Sequence, residues 1–453
     1  MKIGLLPLYI QLYEECAPAY HDPAQRAVDT AAEALRKCGF EVESVPLCHI
    51  EPEISAAVRK FETSDCRVLV TLHAAYSPSL EAIGALAKTD LPIVVFDTTP
   101  DAEFGFDFGG KLMLNHGIHG VQDMCNMLLR NKKRFVIRAG HIGDEKFMAG
   151  MKQAVLAAAA AYKMTHARVG DVGGIFDGMG DFQVPEGTFG MTRIDYVDDP
   201  VYAPSDAEVA AETAKERRDF TIAPDLPEDI HRLTVKNGLR LRNWIESQKL
   251  DAFTVNFLGC GPEIGFDNMP FPECSKAMAR GIGYAGEGDV LTALFCGTLL
   301  QSNPETTFSE MFCPDWTGNR IFLSHMGEMN LALMDRKPYL APRKWKFGSG
   351  KDTAAATGCL KSGGALLANL APGADGKFSL IAAQVALTAQ NAPDLTDMRG
   401  WMTPPGNMPV AEFLESYSRL GGTHHLVLSY GGDIRLVSDL AHLMGWEFRE
   451  IRA

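Results

Sequence analysis

The sequence lacks any apolar run close to the roughly 20 residues that a helix needs to cross a lipid bilayer. The segment from Met1 to Ile10 is apolar but short, and it runs directly into Glu14 and Glu15 without the small-residue cleavage site of a signal peptide. We therefore expect no membrane span and no secretion, and we interpret the start of the chain as a first β-strand.

An excess of positive charge is also missing. The chain has 43 Lys and Arg residues against 57 Asp and Glu residues, a net charge of -14. Nucleic acids and anionic membranes would repel such a surface at long range, so we expect neither as a partner. The ten cysteines are scattered and form no C-x-x-C pair, which is typical of a reducing, cytoplasmic location.

Three common catalytic signatures are absent. No G-x-G-x-x-G motif follows a predicted strand, which removes support for a dinucleotide site, and no G-x-S-x-G motif of a hydrolase is present. The segment 348–353 resembles a P-loop only superficially, because Trp345 and Asp352 stand where that motif requires Gly and Ser or Thr. The function must depend on other residues.

Strand and helix patterns alternate along the first two thirds of the chain. Asp22, Pro23 and Gln25 predict a helix start with Asp22 as the N-cap, and Ser77 with Pro78 behind it predicts another. Such alternation is typical of parallel sheets with helices on both faces. It predicts two Rossmann-like α/β domains, at residues 1–166 and 167–303.

Beyond about Asn303 the pattern changes to short apolar or alternating runs that are broken by Gly and Pro. This sequence pattern is typical of an antiparallel barrel or sandwich. We predict a C-terminal β-barrel domain with helices at residues 304–453, so that the whole fold belongs to the α/β class.

Two carboxylates and two imidazoles stand out by their local surroundings. Glu287 lies in a loop of small residues, Gly283 to Asp289, directly ahead of a predicted helix, where glycines permit close approach of a ligand. Glu310 is a charge in a run otherwise suited to burial, which is costly unless the charge is paired or bound to metal. His325 ends a predicted strand and His425 begins another.

These four residues are far apart in the sequence, so they can meet only if loops and strand ends converge. A converged set would suit a divalent ion such as Mn²⁺ or Co²⁺, because imidazole nitrogen disfavours Mg²⁺ and the lack of thiolates disfavours structural Zn²⁺. Without convergence, each would be an ordinary partly buried polar residue.

Short motifs in a fixed order give the chain its family resemblance. It resembles the L-arabinose isomerase group of the L-arabinose/L-fucose isomerase superfamily. The matching motifs, spread over nearly the whole chain, are 11–13, 73–78, 115–120, 170–171, 283–289, 307–310, 324–326, 348–352 and 421–425.

The resemblance implies a cytoplasmic homo-trimer or homo-hexamer with active sites between subunits. It implies that Glu287, Glu310, His325 and His425 hold a Mn²⁺-type ion, with Co²⁺, Fe²⁺ and Mg²⁺ as alternatives, and that the two glutamates transfer protons. It also implies that five residues bind the substrate: Gln11, Tyr13, Tyr76, His116 and His119. All of these except His116 would reach the metal of a neighbouring subunit. His116 stands where the family usually has Gln, so the resemblance supports the reaction type better than L-arabinose as the substrate.

We therefore predict a metal-dependent aldose-ketose isomerase acting on a pentose, hexose or related sugar through a cis-enediol. Two carboxylates beside a divalent ion suit such a proton transfer between C1 and C2. Two alternatives remain open on the sequence: an epimerase or an isomerase of a modified sugar on the same scaffold, and a sugar-binding protein without catalysis.

Overall fold

A computed structural model describes residues 1–106, 109–197, 202–390 and 398–453. The chain divides into two compact units. Unit 1 comprises Met1–Tyr162 and Arg435–Trp446, and unit 2 comprises Lys163–Ile434 and Glu447–Ala453. The predicted division into three domains stays a prediction.

Unit 1 contains a parallel sheet of five strands in the order β2-β1-β3-β4-β5. Its strands are β1 Lys2–Leu8, β2 Glu41–Ser44, β3 Leu69–His73, β4 Ile93–Asp97 and β5 Phe135–Ala139. This order is that of a doubly wound α/β sheet, and buried apolar clusters cover both of its faces.

Helices connect the strands of unit 1. They are α1 Gln11–Cys16, α2 His21–Lys37, α3 Glu51–Thr63, α4 Ser79–Leu86, α5 Leu112–Asn115, α6 Ile118–Arg130 and α7 Glu145–His166. The Ala-rich helix α7 begins in unit 1 and ends in unit 2.

Both predicted helix starts in this unit are wrong. Helix α2 begins at His21, and Asp22 lies inside its first turn, where its charge still favours the helix N-terminus. Helix α4 begins at Ser79 with Pro78 as the preceding residue, and Ser77 lies outside it. In each helix the residue that precedes the first helical residue can shift by one or two positions without changing the local pattern. The pattern therefore does not fix where the helix begins.

Unit 2 contains a parallel sheet of four strands in the order β10-β9-β6-β7. Its strands are β6 Arg168–Val172, β7 Thr192–Asp195, β9 Ala252–Val255 and β10 Gly283–Gly286. The first half of the predicted loop from Gly283 to Asp289 is thus strand β10, and only its second half is a turn. Helices α8 Asp206–Asp219, α9 Glu228–Ser247, α10 Phe271–Ala279 and α11 Val290–Ser302 belong to this part of the chain.

A second sheet of ten strands includes most of the C-terminal third. Its strands are β8 Thr221–Ile222, β11 Thr306–Asp315, β12 Arg320–Ser324, β13 Tyr339–Arg343, β14 Thr353–Cys359, β15 Gly363–Pro372, β16 Phe378–Thr388, β17 Met398–Thr403, β18 His425–Tyr430 and β19 Glu447–Glu450. Helices α12 Val410–Arg419 and α13 Ile434–Met444 lie between its last strands in the sequence.

Six of these strands pair in a closed circuit, because β16 pairs with both β15 and β17. The remaining pairs in the circuit are β15 with β18, β18 with β11, β11 with β12, and β12 with β17. Alternate residues on them, among them Leu367, Ile381, Met402 and Leu428, form one buried cluster. The prediction of a mixed α/β fold with parallel sheets and a large C-terminal sheet is confirmed, and the detailed barrel layout stays a prediction.

Helix α11 joins the two sheets of unit 2. Every residue from Val290 to Leu300 is buried, which is the pattern of a helix packed on all sides. It contacts β9 and β10 of the parallel sheet and β11 and β18 of the ten-stranded sheet. The turn that precedes α11 is therefore held between the two sheets.

None of the helices in the described ranges combines the length and hydrophobicity that crossing a bilayer requires. All ten cysteines lie in the described ranges, and each is free.

Candidate active site

The turn between β10 and α11 places Glu287 in an unusual backbone conformation. Glu287 has φ 66° and Gly288 has φ 82°, both in the left-handed region. A side-chain-bearing residue adopts this region at a cost, and such residues cluster at functional sites. The backbone of Glu287 is fixed on both sides: its N–H donates to the Val255 carbonyl at 2.9 Å, and its carbonyl accepts from Phe176 at 3.0 Å.

The two glycines beside Glu287 are required by close packing. A Cβ at Gly286 would lie 2.4 Å from Cε1 of His325, and a Cβ at Gly288 would lie 2.3 Å from the Gly174 carbonyl oxygen. The missing side chains thus make room for the imidazole of His325 and for the Gly174 backbone, and the predicted close approach of a ligand stays a prediction.

The strand register brings the other three residues together. Glu310 on β11 lies opposite His425, the first residue of β18, and opposite Ser324, the last residue of β12. His325 follows Ser324 directly. Because side chains alternate along a strand, Phe308 and Glu310 share one face of β11, and the Phe308 ring lies edge-on to both His325 and His425.

The four predicted metal ligands meet in one place. Ligand atoms of Glu310, His325 and His425 lie within 4.8 Å of one another, and those of Glu287, His424 and His425 form a second set within the same limit. His425 belongs to both sets, and its Nε2 lies 3.5 Å from Oε2 of Glu287. The geometry thus joins residues that are up to 138 positions apart in the sequence, from Glu287 to His425.

Each of the two predicted histidine ligands is oriented by a carboxylate. Nδ1 of His325 donates to Glu328 at 2.9 Å, and Nδ1 of His425 donates to Asp289 at 2.9 Å. In both rings Nε2 is buried and has no hydrogen-bond partner among the described residues. A metal-ligating histidine typically has this arrangement, with one nitrogen fixed by a carboxylate and the other presenting its lone pair.

A third imidazole lies beside the centre. Nδ1 and the backbone N–H of His424 both contact Oδ2 of Asp181, at 2.8 and 2.9 Å. Its Nε2 lies 3.5 Å from Oε2 of Glu287. Phe182, next to Asp181, stacks on His425 with ring centroids 5.4 Å apart, so the segment 181–182 forms one wall of the site.

The charges of the centre favour a cation. Burial by itself would lower the pKa of His425, but the nearby carboxylates of Asp289 and Glu287 outweigh burial and raise it to about 9. Burial would raise the pKa of Glu287, yet His424 and His425 hold it well below its ordinary value. Burial raises the pKa of Glu310, and the nearby histidines offset this only in part. The carboxylates thus stabilise positive charge at this centre.

The donor set therefore fits a divalent ion. Glu287, Glu310, His325 and His425 offer two carboxylate oxygens and two imidazole nitrogens whose lone pairs are free, and each imidazole is held in the required orientation. Mixed oxygen and nitrogen donors without thiolate suit Mn²⁺, Co²⁺ or Fe²⁺.

The predicted sugar-binding residues form a separate aromatic cluster within unit 1. The Tyr13 hydroxyl and Nε2 of His116 are 2.7 Å apart. His116 and His119 have ring centroids 5.0 Å apart, and Tyr76 and His119 have centroids 4.6 Å apart. Gln11 is the first residue of α1 and is exposed. The structure thus brings four of the five residues together.

Two of the sequence motifs in this cluster pack directly on each other. A Cβ at Gly120 would lie 2.7 Å from Cδ2 of His73, and a Cβ at Gly117 would lie 2.8 Å from the His73 carbonyl oxygen. Burial lowers the pKa of His73 to about 3, which keeps its ring neutral. The glycines of the motif 115–120 therefore leave space for the histidine of the motif 73–78.

Several residues at the metal centre were missed by the sequence reasoning. Glu328 follows His325 by three positions and Asp289 follows Glu287 by two, so a search for carboxylates near each ligand would find both. Asp181 has no such signal, because 243 positions separate it from His424.

Comparison with known proteins gives consistent matches. Residues 305–447 match the family model described as the L-arabinose isomerase C-terminal domain. The chain is 26% identical to an L-arabinose isomerase of Yersinia pestis over 94% of this chain and 90% of that protein. It is 24% identical to one of Pediococcus pentosaceus over 97% and 96%, and 26% identical to one of Tolumonas auensis over 87% and 83%.

Proposed function

Because the chain is an L-arabinose isomerase-like member of the L-arabinose/L-fucose isomerase superfamily, we propose that it is a metal-dependent aldose-ketose isomerase. The enzyme class is that of an intramolecular oxidoreductase. The substrate is a pentose, a hexose or a related sugar, and the reaction passes through a cis-enediol. One observation carries the proposal: Glu287, Glu310, His325 and His425 converge, with Nδ1 of both histidines held by carboxylates.

These four side chains would hold the divalent ion, for which Mn²⁺ is the first candidate and Co²⁺, Fe²⁺ and Mg²⁺ are alternatives. When bound, such an ion fixes the two sugar oxygens and stabilises negative charge that develops on them. Glu328 and Asp289 hold the two imidazoles in the tautomer that leaves Nε2 free.

The glutamates supply the acid and base. Isomerisation moves a proton between C1 and C2 and requires a second proton transfer at the sugar oxygens, so two groups that exchange protons must lie beside the reacting carbons. Glu287 and Glu310 each have a carboxylate oxygen within 4.8 Å of a ligand nitrogen of His425. Phe182 and Phe308 bound the site with apolar surface and limit the access of water.

The aromatic cluster of unit 1 would bind the sugar. Tyr13, Tyr76, His116 and His119 offer ring faces and hydroxyl or imidazole donors, the groups that recognise a sugar's carbon face and hydroxyls. In the assembly that we propose, a homo-trimer or homo-hexamer, Gln11, Tyr13, Tyr76 and His119 complete the active site of a neighbouring subunit. His116 replaces the family's usual Gln, so it would contribute to the choice of sugar.

Replacement of the proposed acid and base tests the mechanism. We expect Glu287→Gln and Glu310→Gln each to lower kcat by about 10²- to 10⁴-fold, because the amide cannot accept the proton. Turnover of a panel of pentoses and hexoses would be followed by chromatography of the ketose. EDTA treatment should abolish turnover, and Mn²⁺ should restore it.

The matched control is Glu305→Gln, since Glu305 is exposed and pairs with Lys361 outside the centre. It should retain wild-type turnover. Wild-type rates in both Glu287→Gln and Glu310→Gln, with folding verified by circular dichroism, would refute the proposed roles. Tight sugar binding that EDTA does not change, without turnover, would instead indicate a sugar-binding protein.

A further inference from the structure

A second group of metal-ligating side chains lies in unit 1 and shares no residue with the centre described above. Ligand atoms of Glu14, His21 and His49 lie within 4.8 Å of one another. Glu14 is in α1, His21 is the first residue of α2, and His49 precedes α3. Oε1 of Glu14 lies 2.7 Å from Nδ1 of His21 and 3.0 Å from Nε2 of His49.

His49 has a carboxylate at each of its ring nitrogens. Its Nδ1 lies 3.0 Å from Oε2 of Glu53, and the same oxygen accepts the His49 backbone N–H at 2.8 Å. A neutral imidazole carries only one N–H. If Nδ1 donates to Glu53, Nε2 of the neutral ring presents a lone pair to the Glu14 carboxylate, and either a proton on Nε2 or a metal ion beside both atoms relieves the repulsion at 3.0 Å.

The relation between Glu53 and His49 is the same as that between Asp289 and His425. In each pair a carboxylate fixes Nδ1 and leaves Nε2 as the donor atom, which is the usual arrangement around a metal-ligating histidine. The bond from its own backbone to Glu53 fixes the position of this carboxylate as well.

The distances also suit coordination. Ligands bonded at about 2.1 Å lie about 3 Å apart at right angles around an octahedral ion and about 3.4 Å apart around a tetrahedral one. With separations of 2.7 and 3.0 Å from Glu14 to the two histidines, small side-chain movements would let one ion bind all three.

We propose that Glu14, His21 and His49 form a second divalent-cation site, specific for an ion of the Zn²⁺ or Co²⁺ type. Two imidazoles and one carboxylate are the donor set that such ions prefer, and three protein ligands leave further positions for water. The partial exposure of all three residues gives the ion a path from solvent.

The ion would fasten the short helix α1 to the rest of unit 1. Helix α1 has six residues and none is buried, so its own packing contributes little to its position. It carries Gln11 and Tyr13, and one of its last residues, Glu14, is the shared ligand. Coordination to residues of α2 and of the segment before α3 would therefore fix the helix that presents Tyr13 to His116.

Metal stoichiometry of the full chain tests this site without any sugar. After chelation and titration with Co²⁺ or Zn²⁺, the wild-type protein should bind about two ions per chain by calorimetry, and Glu14→Gln and His49→Gln should bind about one. Glu310→Gln should lose the other ion and keep this one. Because the readout is binding, its failure is distinguishable from failure of the isomerase proposal.

His166→Gln is the matched control, since His166 is an exposed histidine outside the group and its loss should leave about two ions bound. His21→Gln gives a second, more exposed variant if His49→Gln does not fold. The Co²⁺ absorption spectrum should lose its contribution from this site in the variants of Glu14, His21 and His49 only. Binding of one ion by the wild-type protein that is lost in Glu310→Gln and kept in Glu14→Gln, or unchanged binding in the folded variants, would overturn the proposal.

Discussion

Asp289 joins two functions in one side chain. Its Oδ1 accepts the backbone N–H of Thr292 at 2.7 Å and caps helix α11, while its Oδ2 accepts Nδ1–H of His425 at 2.9 Å. The first contact fixes the end of the Glu287 turn, and the second fixes the tautomer of His425, a proposed metal ligand. A single fully buried carboxylate thus couples the start of a helix to the chemistry of the centre.

We expect Asp289→Asn to weaken metal binding by about 10- to 100-fold. The amide oxygen still caps α11, but the amide nitrogen faces Nδ1 of His425, which must then accept a hydrogen bond. The ring proton moves to Nε2, and the lone pair that would bind the ion is lost. Calorimetric titration with Mn²⁺ measures the change.

The control for this substitution is Asp315→Asn, because Asp315 also accepts a backbone N–H, from Gly318, but is the last residue of β11 and pairs with Arg320 instead of a histidine. It should leave the metal affinity unchanged. An unaltered affinity in Asp289→Asn would show that the tautomer of His425 does not govern binding.

At the scale of elements, a network of charges fastens three helices of unit 2. Arg242 on α9 bonds to Glu212 on α8 at 2.9 Å and to Glu273 on α10 at 2.6 Å. Lys276 on α10 contacts Glu212 and Glu216, each at 2.8 Å. Since the network is largely buried, removal of one carboxylate leaves buried cations with fewer partners and with little water to replace the lost one.

The network predicts a loss of stability in acid. Burial would raise the pKa of Glu212, but Arg242 and Lys276 outweigh burial and lower it to about 2. A carboxyl whose pKa is lower in the folded protein stabilises it above the unfolded pKa of about 4.5, and this stabilisation is lost as the pH falls towards 2.

We therefore expect Glu212→Gln to lower the free energy of unfolding by about 3 kcal/mol at neutral pH. The difference between wild type and variant should narrow as the pH falls from about 5 to about 2, since the wild-type carboxyl is then protonated. Thermal unfolding of both proteins, followed by circular dichroism over this pH range, measures the difference in stability.

Glu415→Gln is the matched control for this element. Glu415 pairs with Arg419 on the exposed side of α12, and such surface pairs contribute less than about 1 kcal/mol. A difference for Glu212→Gln that is equally small, or that does not change with pH, would contradict the role of the network.

At the scale of the whole molecule, the proposed sites between subunits predict complementation. The double variant Tyr13→Phe/His119→Ala lacks the sugar-binding residues that a subunit contributes to its neighbour's active site. The Glu310→Gln variant lacks the proton transfer, so each of these two proteins alone should be inactive. Co-refolded mixtures should recover about one quarter of the wild-type activity, because a random neighbour pair contains both intact halves with that frequency.

Light scattering of the same mixtures gives the oligomeric state, for which we expect a trimer or a hexamer. The control is a mixture of two variants in the same half, Glu287→Gln with Glu310→Gln, which should stay inactive. Inactive mixtures of the first kind that nevertheless form mixed oligomers would show that each active site belongs to one chain.

The sequence by itself determined the elements and the chemical types of the centre. Periodicity predicts helices and strands because it follows from one buried face, as in α13, where Leu436, Val437, Leu440 and Ala441 are buried. Two carboxylates and two histidines stood out by their local surroundings and by motifs in a fixed order. These signals predicted Glu287, Glu310, His325 and His425 as metal ligands. Helix starts at Asp22 and Ser77 were wrong, since local capping patterns compete within one or two residues.

Only the tertiary structure decided whether those four residues meet. Their convergence depends on the antiparallel register of Glu310 with His425 and on helix α11, which packs against both sheets of unit 2. The same holds for Asp181, whose contact with His424 spans 243 positions and leaves no local trace. A sequence pattern reports which face of an element is buried, whereas a binding site requires distances between elements, and packing alone sets those.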